Sequence, residues 1–149
     1  MPTVEDAIIL AAKMHRGQVD KAGHPYILHP LRVMNRMTDD ITRIIAVLHD
    51  VVEDSDTTLD DLRRMGYEER IVEAVDCLSR REDETYEAFI QRIKPNPLAR
   101  RVKLGDLLDN MDMRRSSALL QSGDIERFQR YQNAWLELTK DDPPPLYSS

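Results

Sequence analysis

Apolar residues recur at helical spacing along most of this chain. Val4, Ile8, Ala11 and Ala12 share one face, and Thr3 as N-cap with Asp6 three residues on predicts a first helix running to about Arg16. Gly17, Asp20, Gly23 and Pro25 break the pattern and predict a loop, after which Tyr26 to Met37 resumes it, Pro30 being tolerated in a first turn. A third helix, capped by Asp39 or Asp40, carries Ile41, Ile44, Ile45, Leu48 and Val52 as a single stripe that must be buried. Short helices follow over Leu59–Met65, Glu68–Arg80 and Thr85–Ile93, then a long one from Leu98 to about Met113 and a last from Asp124 to Leu138. No segment has the pattern of a strand. The expected architecture is all-α: one compact helical bundle of about seven to eight helices over residues 1–140, with 141–149 as a loose, proline-rich C-terminal tail.

The composition agrees with that picture and narrows the functions. At 149 residues the chain can bury a core without disulfides, and five glycines beside many Leu, Ile, Met, Glu and Arg favour helix. A net charge of -6 argues against broad binding to nucleic acid or to anionic membranes, which calls for clustered basic charge. Cys77, the only cysteine, excludes an intramolecular disulfide and is expected to be a buried structural thiol. The N-terminus lacks the features of a signal peptide and no segment approaches about 18 apolar residues, so a cytoplasmic setting is expected. Trp135, Leu136 and Leu138 belong either to the core or to an interface of a homo-oligomer.

The chemistry concentrates at the end of the third helix, where Leu48-His49-Asp50-Val51-Val52-Glu53-Asp54 places one histidine and three carboxylates together. Gathering charges beside an apolar stripe is costly unless a cation offsets it. Taken alone, a His-Asp pair is more often a solvated helix end than a site. Two other segments bear on it: His29 lies in the first turn of a helix otherwise patterned for burial, and Lys103, Asp106 and Asn110 share a face of the long helix. Two imidazoles with two carboxylates form a mixed N/O donor set suited to Mn²⁺, Fe²⁺, Co²⁺ or Zn²⁺.

These segments, in this order, resemble the HD superfamily of metal-dependent phosphohydrolases, and most closely the hydrolase domain of the Rel/Spo alarmone enzymes and their small stand-alone relatives. The matching stretches, within roughly Ala7 to Tyr131, are His15-Arg16-Gly17-Gln18, Lys21-Ala22-Gly23, Pro25 to Leu31, Leu48 to Asp54, and Val102 to Asp106 with Asn110. The resemblance implies an HD-type bundle in which His29, His49, Asp50 and Asp106 hold a divalent metal, normally Mn²⁺, while Glu53 and Asp54 are the catalytic carboxylates that prepare water. It places Arg16, Asp20, Lys21, Lys103, Asn110, Arg127 and Tyr131 around a phosphorylated nucleotide. The implied reaction removes the 3′-diphosphate of guanosine tetra- or pentaphosphate, and the length leaves room only for a stand-alone hydrolase. Asp20 departs from the family's usual Arg before Lys21; it either accepts hydrogen bonds from guanine or indicates another nucleotide. Gly105 stands where alanine is usual, and Arg80 to Tyr86 lacks the lysine-rich stretch expected near the pocket. A phosphohydrolase with different base specificity and a non-catalytic nucleotide-binding module are the alternatives.

Overall fold

The computed structural model describes residues 1–116 and 118–141, so most of the expected tail at 141–149 lies outside the described residues. Nine α-helices form among them: α1 (Val4–Met14), α2 (Leu28–Asn35), α3 (Asp40–Leu48), α4 (Val51–Asp54), α5 (Leu59–Arg64), α6 (Glu69–Leu78), α7 (Tyr86–Ile93), α8 (Pro97–Asn110) and α9 (Ser122–Thr139), with a single 3-10 turn at Met113–Arg115. Apart from one isolated β-bridge between Val19 and Pro25, no β-structure occurs among the described residues.

Several of their boundaries follow from polar side chains that satisfy free N–H groups of the first turn, although α2, α4 and α6 start without a side-chain cap. Thr3 with Asp6 and Thr58 with Asp61 form reciprocal capping boxes. Asp39, not Asp40, caps α3 by accepting from the Thr42 amide at 2.9 Å, and Asn96 caps α8 with Pro97 in its first turn. None of the described helices is long and apolar enough to cross a membrane.

The apolar stripe becomes the centre of the molecule. Helix α3 is packed by α1, α2, α6 and α8, so Ile44 to Leu48 are buried around its whole circumference rather than on one face. At Gly105 the packing is close: a Cβ there would lie 2.8 Å from Met37 Cε, the movable end of a flexible side chain, and 3.4 Å from Val33 Cγ1. On the far side Leu138 joins the core and Trp135 packs against it, while Leu136 points outward. Cys77 is half-buried rather than fully buried, and burial raises its thiol pKa.

The third helix does not continue to Val52 as its pattern suggested. It stops at Leu48, and the chain turns through His49 and Asp50 before α4 begins. The imidazole causes the stop: His49 Nδ1 donates to the Ala46 carbonyl at 2.5 Å, and the His49 amide reaches that same carbonyl at 3.5 Å, tightening the last turn. On an unbroken helix His49 and Asp50 would diverge by about 100°. Both residues keep α-region dihedrals through the turn, and their side chains still reach one another, Asp50 Oδ2 lying 3.1 Å from His49 Nε2.

Candidate metal and catalytic site

Four donor groups from two helices and one turn converge where α2, α3 and α8 meet. His29 comes from the first turn of α2, His49 and Asp50 from the break between α3 and α4, and Asp106 from the middle of α8. One ligand atom from each of His29, His49 and Asp50 lies within 4.8 Å of the others, spacing that could hold a metal ion. Asp106 Oδ1 closes the set at 2.8 Å from His29 Nε2 and 3.4 Å from His49 Nε2, with Asp50 Oδ2 3.1 Å from His49 Nε2.

The protonation pattern tests whether a cation fits. His29 Nδ1 is 2.6 Å from Asp109 Oδ2 and His49 Nδ1 is 2.5 Å from a carbonyl, so both Nδ1 atoms are donors. In the neutral imidazoles both Nε2 atoms then present lone pairs toward carboxylate oxygens. His49 Nε2 is buried and has no hydrogen-bond partner among the described residues. Lone pairs facing carboxylates repel unless a proton or a metal lies between them. Without a metal, protons take that place: burial opposes charging His49, but Asp50 and Asp106 raise its pKa well above the usual imidazole value. Burial likewise opposes ionisation of Asp106, and Lys103 and the imidazoles overcome it, holding its carboxyl well below the ordinary range. The donor set fits a divalent cation, which would replace those protons.

A second ring of side chains fixes the first. Asp109 is fully buried, accepts from His29, and is matched by Arg32 Nε at 2.8 Å and Arg115 Nη1 at 3.1 Å. Lys103 Nζ donates to Asp106 Oδ2 at 2.7 Å, leaving Oδ1 for the cluster, and lies 5.2 Å from the Phe89 ring centre. Tyr26 donates its hydroxyl to Asp50 Oδ2 at 2.5 Å.

Comparison with known proteins bears on what this arrangement belongs to. No family model matches the chain. It is 39% identical over 119 residues to the human guanosine-3′,5′-bis(diphosphate) 3′-pyrophosphohydrolase MESH1, covering 71% of this chain and 66% of that protein. To the enzyme of the same name from Aquifex aeolicus it is 33% identical over 121 residues, 72% of this chain but 17% of the relative. A solved metazoan ortholog of SpoT, described as hydrolysing ppGpp, superposes with a TM-score of 0.76 at 24% identity, covering 91% of this chain and 84% of that one. The chain belongs to the HD-type family of these alarmone hydrolases. It spans about a sixth of the bacterial relative's length and about two thirds of the human one.

Around the HD cluster lies an open cavity of about 330 Å³. Of the expected residues, His29, His49, Asp50, Asp106, Glu53, Lys103, Asn110 and Tyr131 line it, whereas Arg16, Asp20, Lys21, Asp54 and Arg127 do not. Arg127 pairs with Asp124 on its own helix. Asp20 shapes its loop: its Oδ1 accepts from the amides of Ala22 at 2.9 Å and His24 at 3.0 Å, and its Oδ2 lies 3.8 Å from Arg115. Glu53 and Asp54 stand at the exposed edge of the HD site. Burial and the Asp50 charge raise both carboxyls, Asp54 to about 6.

Of the lining arginines, Arg80 lies in the Arg80 to Tyr86 segment expected near the pocket, whereas Arg115 and Arg130 carried no signal in the sequence. Arg80 and Arg130 sit 5.8 Å and 5.2 Å from the Tyr86 ring centre, and no carboxylate pairs with either among the described residues. Arg80 is brought there by Arg92, which donates to the Ser79 carbonyl at 2.8 Å and pairs with Glu84, folding the α6–α7 turn against the site. Arg115 arrives on the 3-10 turn. Asp109 alone could have been found, because it lies three residues after Asp106 and so near its face of α8.

Proposed function

We propose that this chain is a metal-dependent phosphohydrolase acting on a phosphorylated nucleotide, with guanosine 3′,5′-bis(diphosphate) as substrate and its 3′-diphosphate as the group removed. One observation carries this: two imidazole lone pairs and two carboxylates converge beneath a cavity that also holds Arg80 and Arg130, neither of them paired with a carboxylate among the described residues. The named activity of MESH1 supports the choice of substrate.

In this proposal His29, His49, Asp50 and Asp106 hold the cation, Mn²⁺ being favoured among the ions that accept such a mixed N/O set, with Fe, Co and Zn next. The bound ion supplies Lewis acidity, lowering the pKa of water from 15.7 toward about 7 and polarising a phosphoryl oxygen. Glu53 and Asp54 orient water and take its proton, and Asp54, raised to about 6 chiefly by burial, is ionised yet still basic near neutral pH. Arg80 and Arg130 meet the phosphate charge on one side of the cavity, and Asn110 and Arg115 on the other. Tyr131 offers a ring to the ligand. Lys103 acts through Asp106, Asp20 acts by shaping the loop that carries Lys21, and Arg16, Lys21 and Arg127 serve only at the outer edge. A nucleotide substrate and a single unpaired cysteine suit a cytoplasmic enzyme.

The test pairs calorimetric Mn²⁺ titration of metal-free protein with pyrophosphate release from the alarmone. The parent binds about one ion per chain and releases pyrophosphate. Asp106→Ala loses tight metal binding and lowers turnover by roughly a thousandfold or more. Parent-like hydrolysis by Asp106→Ala would overturn the metal assignment, and turnover of other nucleotides without the alarmone would overturn the substrate.

A further inference from the structure

His15 and Gln18 do not line the cavity, yet both are tied to it. His15 is 1% exposed at the C-cap of α1, where a polar ring needs partners. Its Nδ1 lies 2.8 Å from Gln18 Oε1, and Gln18 Nε2 is 3.0 Å from the Asp54 carbonyl oxygen. Because a carbonyl only accepts, the Gln18 amide nitrogen faces Asp54, and its oxygen accepts from His15 Nδ1–H. The Gln18 carbonyl accepts from the Tyr26 amide at 2.9 Å, closing the neck of the loop between them. Tyr26 places its ring 5.0 Å from that of His15 and its hydroxyl on Asp50.

The two neck residues therefore reach the two ends of α4, Tyr26 at its N-cap Asp50 and Gln18 at its last residue Asp54. A helix of four residues cannot hold itself in water. We propose that His15, Gln18 and Tyr26 form a clamp that positions the carboxylate turn: Tyr26 acts through the metal ligand Asp50, and Gln18 through the backbone of Asp54. This rests on the site assignment above. His15 locks the orientation of the Gln18 amide and is the base of both arms.

Three variants separate the arms. Gln18→Glu keeps an acceptor for His15 but turns a second acceptor on the Asp54 carbonyl, Gln18→Leu removes both bonds, and Tyr26→Phe removes only the hydroxyl. Amide hydrogen exchange over residues 51–56, Mn²⁺ titration and steady-state kinetics are measured on each, with thermal unfolding to establish folding. Both Gln18 variants should exchange about tenfold faster over 51–56, as expected where a local hydrogen bond is lost. They should also lose about tenfold in kcat with KM and Mn²⁺ affinity within about twofold. Tyr26→Phe should instead weaken Mn²⁺ binding by about tenfold. Unchanged exchange in both Gln18 variants, or parent-like kcat despite faster exchange, overturns the clamp. If the parent turns over no nucleotide, the functional proposal fails, while exchange and metal titration still decide whether the clamp exists.

Discussion

The floor and the rim of the cavity are built on different terms. In the floor, His29 and Asp106 each have at least two polar partners, and those partners, Asp109 and Lys103, are buried themselves. At the rim, Arg80 and Arg130 are exposed and rest on an aromatic ring, with no carboxylate partner among the described residues. Removing one partner from a buried network strands the other in a low-dielectric interior, whereas an exposed cation falls back on water. The floor therefore admits one chemistry, while the rim can change its ligand preferences at little cost to the fold.

Asp109→Asn tests the floor most severely, since the group touches neither metal nor substrate. The variant keeps the volume but removes the charge shared by His29, Arg32 and Arg115. We expect Mn²⁺ affinity to fall by about 10–100-fold in calorimetric titration, with KM at saturating metal near the parent value. A smaller loss than that from a rim substitution would remove the distinction.

Arg130→Gln is the matching test at the rim. If Arg130 meets substrate charge, KM should rise by about tenfold while kcat and Mn²⁺ affinity stay within about twofold, the pattern of lost uniform binding. A concurrent loss of metal affinity would show that floor and rim are not separable.

The same division governs what could be foreseen. Helix periodicity predicted every helix but the separate α4, because α1, α3 and α6 carry apolar stripes, and Thr3 and Asp39 were legible as caps, while the caps at Thr58 and Thr85 emerge only in the structure. The break at His49 was missed because its cause, a ring nitrogen bonded to the Ala46 carbonyl, leaves no periodic trace. The four proposed ligands stood out as polar residues in apolar surroundings, and the family resemblance joined them into one set. Arg115 and Arg130 did not stand out, since an arginine on a turn or a helix surface is ordinary until distant segments fold beside it, whereas Arg80 stood in a segment expected near the pocket but with no role of its own. Asp20 was expected to face a ligand and instead has its Oδ1 bonded to the amides of its own loop, a local Asx-type bond that Asp favours next to glycine and proline.

Glu53 and Asp54 lie on the boundary between the two regions, and the smallest effect is expected there. Burial raises Asp54 to about 6, with the Asp50 and Glu53 charges adding to it. Because a base must be ionised, activity should fall as pH drops through the Asp54 midpoint, and any positive charge nearby moves that midpoint down. Glu53→Gln removes one negative neighbour, so the Asp54 carboxyl of metal-free protein, followed by carbon NMR, should titrate lower by less than about one unit. The acid limb of the Mn²⁺-loaded parent's pH–rate profile should likewise lie below the Asp54 midpoint of the metal-free protein. A midpoint that rises or stays fixed in Glu53→Gln would mean that the two carboxylates do not share a field, and that Asp54 belongs with the rim instead of with the chemistry.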